Sequence, residues 1–421
     1  MTYTAEAFQN EFLPLGATEV NAIVTVTSTG AEGGRRTWGA TEIIIVDASG
    51  SMQADGRIGA ARQAAKAAVD CIDDGVHFAI IAGVGTAQQL FPDPGQLAVA
   101  SPATRAAASA AVDRLQASGG TAMGAWLLLA AQLFAQRPGD IAHAILLTDG
   151  DNGERQGYLE SVLTSIAGKF TCDCRGVGTD WKVSELRKIA SAMLGTVDIV
   201  ARPADLAAAF QRMMTAAMGK TSADVQLKVW TPVNSTVRFV KQVEPEVTDL
   251  TGRRVADGAR AARYPLGAWG SESRDYHICV DVPAGAAGDE MLAARISIVE
   301  GDTVHAQSLV RAVWTEDTAL STRINRQVAH YTGQAELADV IQAGLAARDS
   351  GDERTATMKF GRAAQLAHSS GNTATEELLA KVVEIDDAVT GTVRLRRKVA
   401  AEDEMALDTR STKTVRVGRA Q

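Results

Sequence analysis

The segment TEIIIVDASGSM, residues 41–52, runs from β-branched residues into an acid, a glycine and two serines. A short apolar run of this kind reads as a strand buried on both faces of a parallel sheet, and in open parallel sheets ligands bind beyond the carboxyl ends of the strands. Asp47, Ser49 and Ser51 stand at such an end. Alternate residues of an extended turn can face one point, and these side chains offer only oxygen. Hydroxyls and carboxylates without His or Cys suit a hard cation such as Mg²⁺. By itself Asp-x-Ser-x-Ser is also what turns and helix caps use. Two further segments add to it: ASGGTAMGAW places Thr121 behind a Gly-Gly pair and ahead of an apolar helix, and AILLTDGDNG places Asp149 at the end of another buried strand. A site with only two acids leaves a divalent ion net positive and able to attract an Asp or Glu from another molecule. Displacing water from Mg²⁺ is reluctant chemistry, so one carboxylate binds weakly unless the surrounding surface contributes.

The elements that must position these residues follow from periodicity. Over 38–219, the apolar runs EIIIVDAS, HFAIIAGVG, AHAILLTDG, FTCDCRGVG and VDIVA alternate with helical stretches, from RIGAARQAAKAAVDCI to PADLAAAFQRMMTAAM. Strand followed by helix, repeated, predicts a doubly wound, Rossmann-like α/β domain. Over 220–317, alternating segments such as ADVQLKVWTP and LAARISIVEG, divided by Gly, Pro and Asn, predict an antiparallel β-sandwich. In the N-terminal segment 1–37, residues 20–28 read as a strand that TGAEGGRR ends; a lone strand must pair, and the sandwich is its expected place. Residues 318–388 predict a helical bundle, with pieces over 318–331, 334–349, 352–369 and 373–386 and junctions at Gly333, Gly351 and Gly371. Residues 389–421, with little sustained periodicity, are expected to form a flexible tail.

In order and spacing, Asp47, Ser49, Ser51, Thr121 and Asp149 resemble the metal-ion-dependent adhesion site of von Willebrand factor A domains, a likeness that covers about 38–219. The resemblance implies Mg²⁺ or Mn²⁺ held by the Ser49 and Ser51 hydroxyls and, in some states, by Thr121. It makes Asp47 and Asp149 water-mediated ligands or anchors, with a sixth position open to a partner's carboxylate. The remaining layout is similar to bacterial cytosolic proteins of this class, actinobacterial or tellurite-resistance-associated. That similarity implies a stress-response or phospho-signalling setting, with Ser/Thr kinases, phosphatases or forkhead-associated domains as partners. A substrate-recruiting subunit for an AAA+ ATPase, as in chelatase-like systems, is the alternative.

Composition narrows the choices. A formal net charge of −8 disfavours nucleic acid and anionic membranes as partners. MTYTAEAFQNEFLPLG shows no basic stretch followed by an apolar one, so a soluble, cytoplasmic protein is expected. The cysteines, Cys71, Cys172, Cys174 and Cys279, fit reduced thiols better than zinc or disulfides. The six histidines form no H-E-x-x-H pair and no G-x-S-x-G elbow occurs, so no catalytic residue is assigned. A Mg²⁺-dependent phosphohydrolase with Asp47 as nucleophile is a remote alternative, because Ser49 stands where a second acid is needed. DGDNGERQGYLE has Glu154 where an EF-hand requires Gly, GKTS has Met214 where a phosphate loop requires its earlier Gly, and GVGTAQ lacks the third Gly of a dinucleotide fingerprint. Trp126 reads as core packing, and the charges of RIGAARQAAK as a solvated helix face. Thr412 and Thr414, each with Val three residues on, are candidate phosphorylation sites on an exposed tail.

Overall fold

The computed structural model describes residues 1–30 and 39–417. The expected break after residue 28 and the expected domain start at Trp38 fall mostly on residues outside these ranges. The chain divides into two compact units: one comprises residues 33–223 with Gly267–Gly270, the other Met1–Glu32, Asp224–Leu266 and Ser271–Gln421.

The first unit is the doubly wound α/β domain. Five strands, Val197–Val200, Thr171–Val177, Ile141–Thr148, Ala40–Asp47 and His77–Gly83, lie side by side and parallel. The strand Ala87–Phe91 then pairs antiparallel on the far edge. Because Ala40–Asp47 comes first in the chain yet sits between Ile141–Thr148 and His77–Gly83, the winding reverses on either side of it. A crevice at strand ends forms at such a reversal. Every residue of Ala40–Asp47 is buried, the signature of a strand covered on both faces. The helix Arg57–Asp70 is alanine-rich, and Ala61, Ala64, Ala65 and Ala68 are fully buried in one core with Ile44, Val46, Phe210 and Met214. Small side chains let this helix approach the sheet closely. The edge strand Ala87–Phe91 was not legible in the apolar pattern: its residues AQQLF are half-buried or exposed.

In the second unit, one sheet has the order Thr2–Gln9, Glu19–Thr29, Glu272–Asp281, Thr236–Glu244, Thr248–Asp249. Residues 20–28 thus sit between Thr2–Gln9 and Glu272–Asp281, antiparallel to both. The other sheet orders Val255–Ala256, Ala261–Trp269, Ser222–Trp230, Glu290–Glu300, Thr303–Thr315 and Phe12–Pro14, the last pair being parallel.

The helical region departs from expectation at three places. The piece expected over 318–331 is broken: Thr318–Ser321 is one short turn, and the next helix starts only at Arg326, capped by the Asn325 side chain. Gly333 ends nothing: Arg326–Asp349 is one continuous helix of 24 residues, and a Cβ at Gly333 would meet no atom within 4 Å. The helix expected over 373–386 stops at Val382, after which Val383–Asp387 pairs with Thr392–Leu395 as a hairpin turning at Gly391, φ 71°. The expected flexible tail is likewise ordered through residue 417. Ala401–Arg410 is a helix whose Leu407 is fully buried against Phe360 and Leu379 in one cluster. Among the described residues, no helix is long and apolar enough to cross a membrane.

Candidate metal centre

Three loops meet at the carboxyl ends of the central strands, and backbone hydrogen bonds lash them together. Ala48 N–H donates to the Gly83 carbonyl at 2.7 Å, Ser118 N–H to Ala48 at 2.7 Å, Gly50 N–H to Gly119 at 2.9 Å and Gly153 N–H to Thr121 at 2.8 Å. Gly119 takes φ 73°, a left-handed conformation that costs glycine little. Trp126 is fully buried and donates from its indole N–H to the Val84 carbonyl at 2.7 Å, so it props the neighbouring loop as well as packing.

On this frame the oxygens form a chain. Asp47 is fully buried; its Oδ1 accepts the Ser49 N–H at 2.7 Å and its Oδ2 the Thr148 hydroxyl at 2.5 Å. Ser49 Oγ and Ser51 Oγ are 2.9 Å apart, and Ser51 donates to Asp149 Oδ1 at 2.6 Å. Thr121 joins from the third loop: a Cβ built on Gly150 would lie 3.4 Å from Ser51 Oγ and 3.5 Å from Thr121 Oγ1. All five sequence candidates therefore gather at one strand-end crevice. Ser49 and Asp149 are buried while Ser51 is exposed, so the cluster opens to solvent on the Ser51 side.

The surrounding charges were not legible in the sequence. Arg57, expected on a solvated face, is only 11% exposed and donates from Nη1 to Asp149 Oδ2 at 2.8 Å. The pull of Asp149 raises the Arg57 pKa, and Asp180 holds its Nη2 at 2.8 Å. Burial pushes the Asp47 carboxyl up, outweighing the hydrogen bonds from Thr148 and Ser49 that pull it down. Asn152 and Glu154 carry out a different task. Asn152 accepts the Met123 N–H at 3.0 Å, and Glu154 accepts those of Gly124 and Ala125 at 2.8 and 2.9 Å. They satisfy orphan donors at the start of the helix Met123–Phe134 and fix the loop that carries Thr121. The polar run after Thr148, DGDNGE, was the available signal.

The donor set suits a small, hard cation. Adjacent ligands of an octahedral ion with metal–oxygen distances of 2.0–2.1 Å lie about 2.8–3.0 Å apart. Ser49 Oγ and Ser51 Oγ, 2.9 Å apart, already have the spacing of one octahedral edge. Among the described residues no group of three or more His, Cys, Asp or Glu forms a metal cluster, which leaves hydroxyls as the main donors here. Thr412 and Thr414 belong to the second unit and are not on a loose tail. Thr414 donates its hydroxyl to the Val243 carbonyl and to Glu244 Oε2, both at 2.7 Å, and its N–H to the Pro245 carbonyl at 3.1 Å.

Comparisons with known proteins bear on the fold and the family. The family model for the von Willebrand factor type A domain matches residues 42–199, and that for the von Willebrand factor type A C-terminal domain matches residues 365–411. A solved von Willebrand factor type A protein from Catenulispora acidiphila is 49% identical, with 99% of this chain and 97% of that one covered and a TM-score of 0.95. The structure of the ArnB paralog VWA2 from Sulfolobus acidocaldarius covers 98% of both chains at a TM-score of 0.62, but its 13% identity shows likeness of fold alone. An uncharacterized protein of Synechocystis sp. is 30% identical over 219 residues, and this chain spans 49% of that relative's length.

Proposed function

Because the chain belongs to the von Willebrand factor type A family, we propose that its strand-end crevice is a Mg²⁺- or Mn²⁺-dependent docking site for an Asp or Glu of a protein partner. The observation that carries this reading is the pair of hydroxyls, Ser49 and Ser51, set 2.9 Å apart beside the two buried acids Asp47 and Asp149. Ser49, Ser51 and Thr121 would hold the ion, with Asp47 and Asp149 behind them. A divalent ion there supplies one positively charged coordination position to an incoming carboxylate.

The chain's own residues prepare that position. Asp47, with both oxygens engaged, fixes the turn that aims Ser49 and Ser51. Arg57 offsets the charge of Asp149, which keeps the site from over-neutralising a cation. Asn152 and Glu154 hold the Thr121 loop in register. The same contacts favour binding over phosphoryl transfer: an Asp47 nucleophile would have to break a buried hydrogen bond, and no second acid stands at position 49.

An affinity capture from native lysate in millimolar Mg²⁺ tests the reading, with Asp47→Asn and an EDTA wash as controls and melting curves to match the samples. Partners lost in both controls support metal-mediated docking, and their identity separates a phospho-signalling adaptor from an ATPase-recruiting subunit. Partners retained in both contradict it.

A further inference from the structure

A second site of different chemistry lies within the β-rich unit. Along the strand Ser222–Trp230, Leu227 and Val229 are buried, so alternation turns Lys228 and Trp230 to the opposite face. Trp230 is directly opposite Arg295 on the neighbouring strand, and Lys228 is opposite Ser297. The turn before Ala261–Trp269 brings Arg260 to the same place. The Cζ atoms of Arg260 and Arg295 lie 5.5 and 5.1 Å from the centroid of the Trp230 ring, both within cation–π range. Together these residues line a cavity of about 420 Å³, a volume within the range of pockets that enclose small ligands.

Charge in this cavity is unbalanced. Its one acid, Asp257, is already bonded through Oδ2 to Lys228 and to Arg263, each at 2.8 Å. Among the described residues no carboxylate forms an ion pair with Arg260 or Arg295, and both are exposed. A guanidinium carries its N–H donors in a planar fork that matches a carboxylate, and an aromatic ring within cation–π range favours its charge without using up those donors. Attraction of both side chains to one ring also lowers the side-chain entropy lost on binding. The net charge of −8 opposes a long polyanion such as nucleic acid, whereas a short acidic segment meets only the local positive field.

We propose that Trp230, Arg260 and Arg295 form a second recognition site, which seats a carboxylate side chain from an acidic segment of a protein partner. The site needs no metal, so it is independent of the crevice at Ser49 and Ser51.

The test is fluorescence anisotropy on the full chain in EDTA, at low salt, with a labelled dodecapeptide of alternating Glu and Gly and its Gln analogue. The acidic peptide is expected to bind at least tenfold more tightly than the analogue. The double variant Arg260→Gln/Arg295→Gln, both exposed positions, is expected to lose at least tenfold while melting as the native protein does. A charge-matched control, Arg397→Gln/Lys398→Gln, is expected to lose less than twofold. Equal loss in both double variants would overturn the proposal by reducing it to net charge. Undiminished binding in Arg260→Gln/Arg295→Gln would also overturn it, as would tighter binding of a phosphoserine peptide or an oligonucleotide than of the Glu peptide.

Discussion

Arg57 and Asp149 form an ion pair at 2.8 Å in which the acid is fully buried and the base nearly so, while Ser51 donates to the other oxygen of the same carboxylate. The pair links the first turn of the helix Arg57–Asp70 to the end of the strand Ile141–Thr148. It ties the stability of the crevice to the charge inside it. Removing one partner of a buried pair leaves the other uncompensated, at a cost of about 3 kcal/mol. Arg57→Gln is therefore expected to lower the melting temperature in EDTA, and millimolar Mg²⁺ should recover more of the loss than it adds to the native protein. Equal Mg²⁺ shifts in both proteins would show that Arg57 does not counterbalance the site.

A Cβ at Gly124 would come within 2.7 Å of Glu154 Oε2, so a side chain there must displace the Glu154 carboxylate. Gly124→Ala is expected to push Glu154 off the helix start and cost about 1–2 kcal/mol, the range of a lost helix cap. Urea denaturation measures this, and faster amide exchange at Thr121 and Ala122 would locate the loosening. A stability change without faster exchange there would mean that Glu154 does not hold the Thr121 loop.

A second buried charge cluster sits near the starts of the same strands. His143 is bonded through Nδ1 to Glu42 at 2.7 Å and through Nε2 to Asp173 at 3.1 Å. Burial works against its charge, but the two carboxylates prevail and raise its pKa from 6.5 to about 10. Asp173, also buried, is held well below its ordinary 3.8 by His143. The raised His143 pKa contributes stability in full below pH 6.5, and this is lost as pH climbs toward about 10. The lowered Asp173 pKa contributes above pH 3.8 and is lost on further acidification. Denaturant midpoints are expected to be highest between these limits and to fall from pH 6.5 to 10. His143→Gln should be less stable at pH 6 and should flatten the alkaline slope; an unchanged slope would assign it to other groups.

Thr414 is held by Glu244, whose carboxyl burial pushes upward in pKa. A negative charge at position 414 would face that carboxyl directly, so Thr414→Glu is expected to release the segment. Hydrogen exchange at the Thr414 amide, bonded to the Pro245 carbonyl, should rise at least tenfold while the strand Ala40–Asp47 stays protected. Unchanged protection would show that the segment tolerates the charge and remains open to modification in place.

The α/β domain and the clustering of its five oxygen-bearing residues were legible because their signals are local. Buried strands read as apolar runs, and Asp47, Ser49, Ser51 and Asp149 follow directly from strand ends. Arg57 was not legible: an arginine at a helix start looks solvated until Asp149, 92 residues on, is brought against it. The hairpin at 383–395 was hidden by its junction with a real helix, since Leu379 and Val382 continue the helical spacing into VEIDD. Tail order rests on remote partners, Leu407 on the helical core and Thr414 on Val243, which local polarity does not reveal. Gly333 misled because glycine is tolerated within a helix as well as at its end.

The most direct test of the central claim is a Mn²⁺ titration followed by electron paramagnetic resonance on the native protein and on Ser49→Ala/Ser51→Ala. The double substitution removes both hydroxyls, and with them the Ser51 bond to Asp149 Oδ1, but keeps the Asp47 bonds to the Ser49 N–H and Thr148 and the Arg57–Asp149 pair. The expected result is one Mn²⁺ site per native chain, displaced by Mg²⁺ and weakened at least tenfold in the variant, which melts lower because Asp149 loses the Ser51 donor but stays folded at the titration temperature. No saturable site in the native protein, or undiminished binding in the variant, would contradict it.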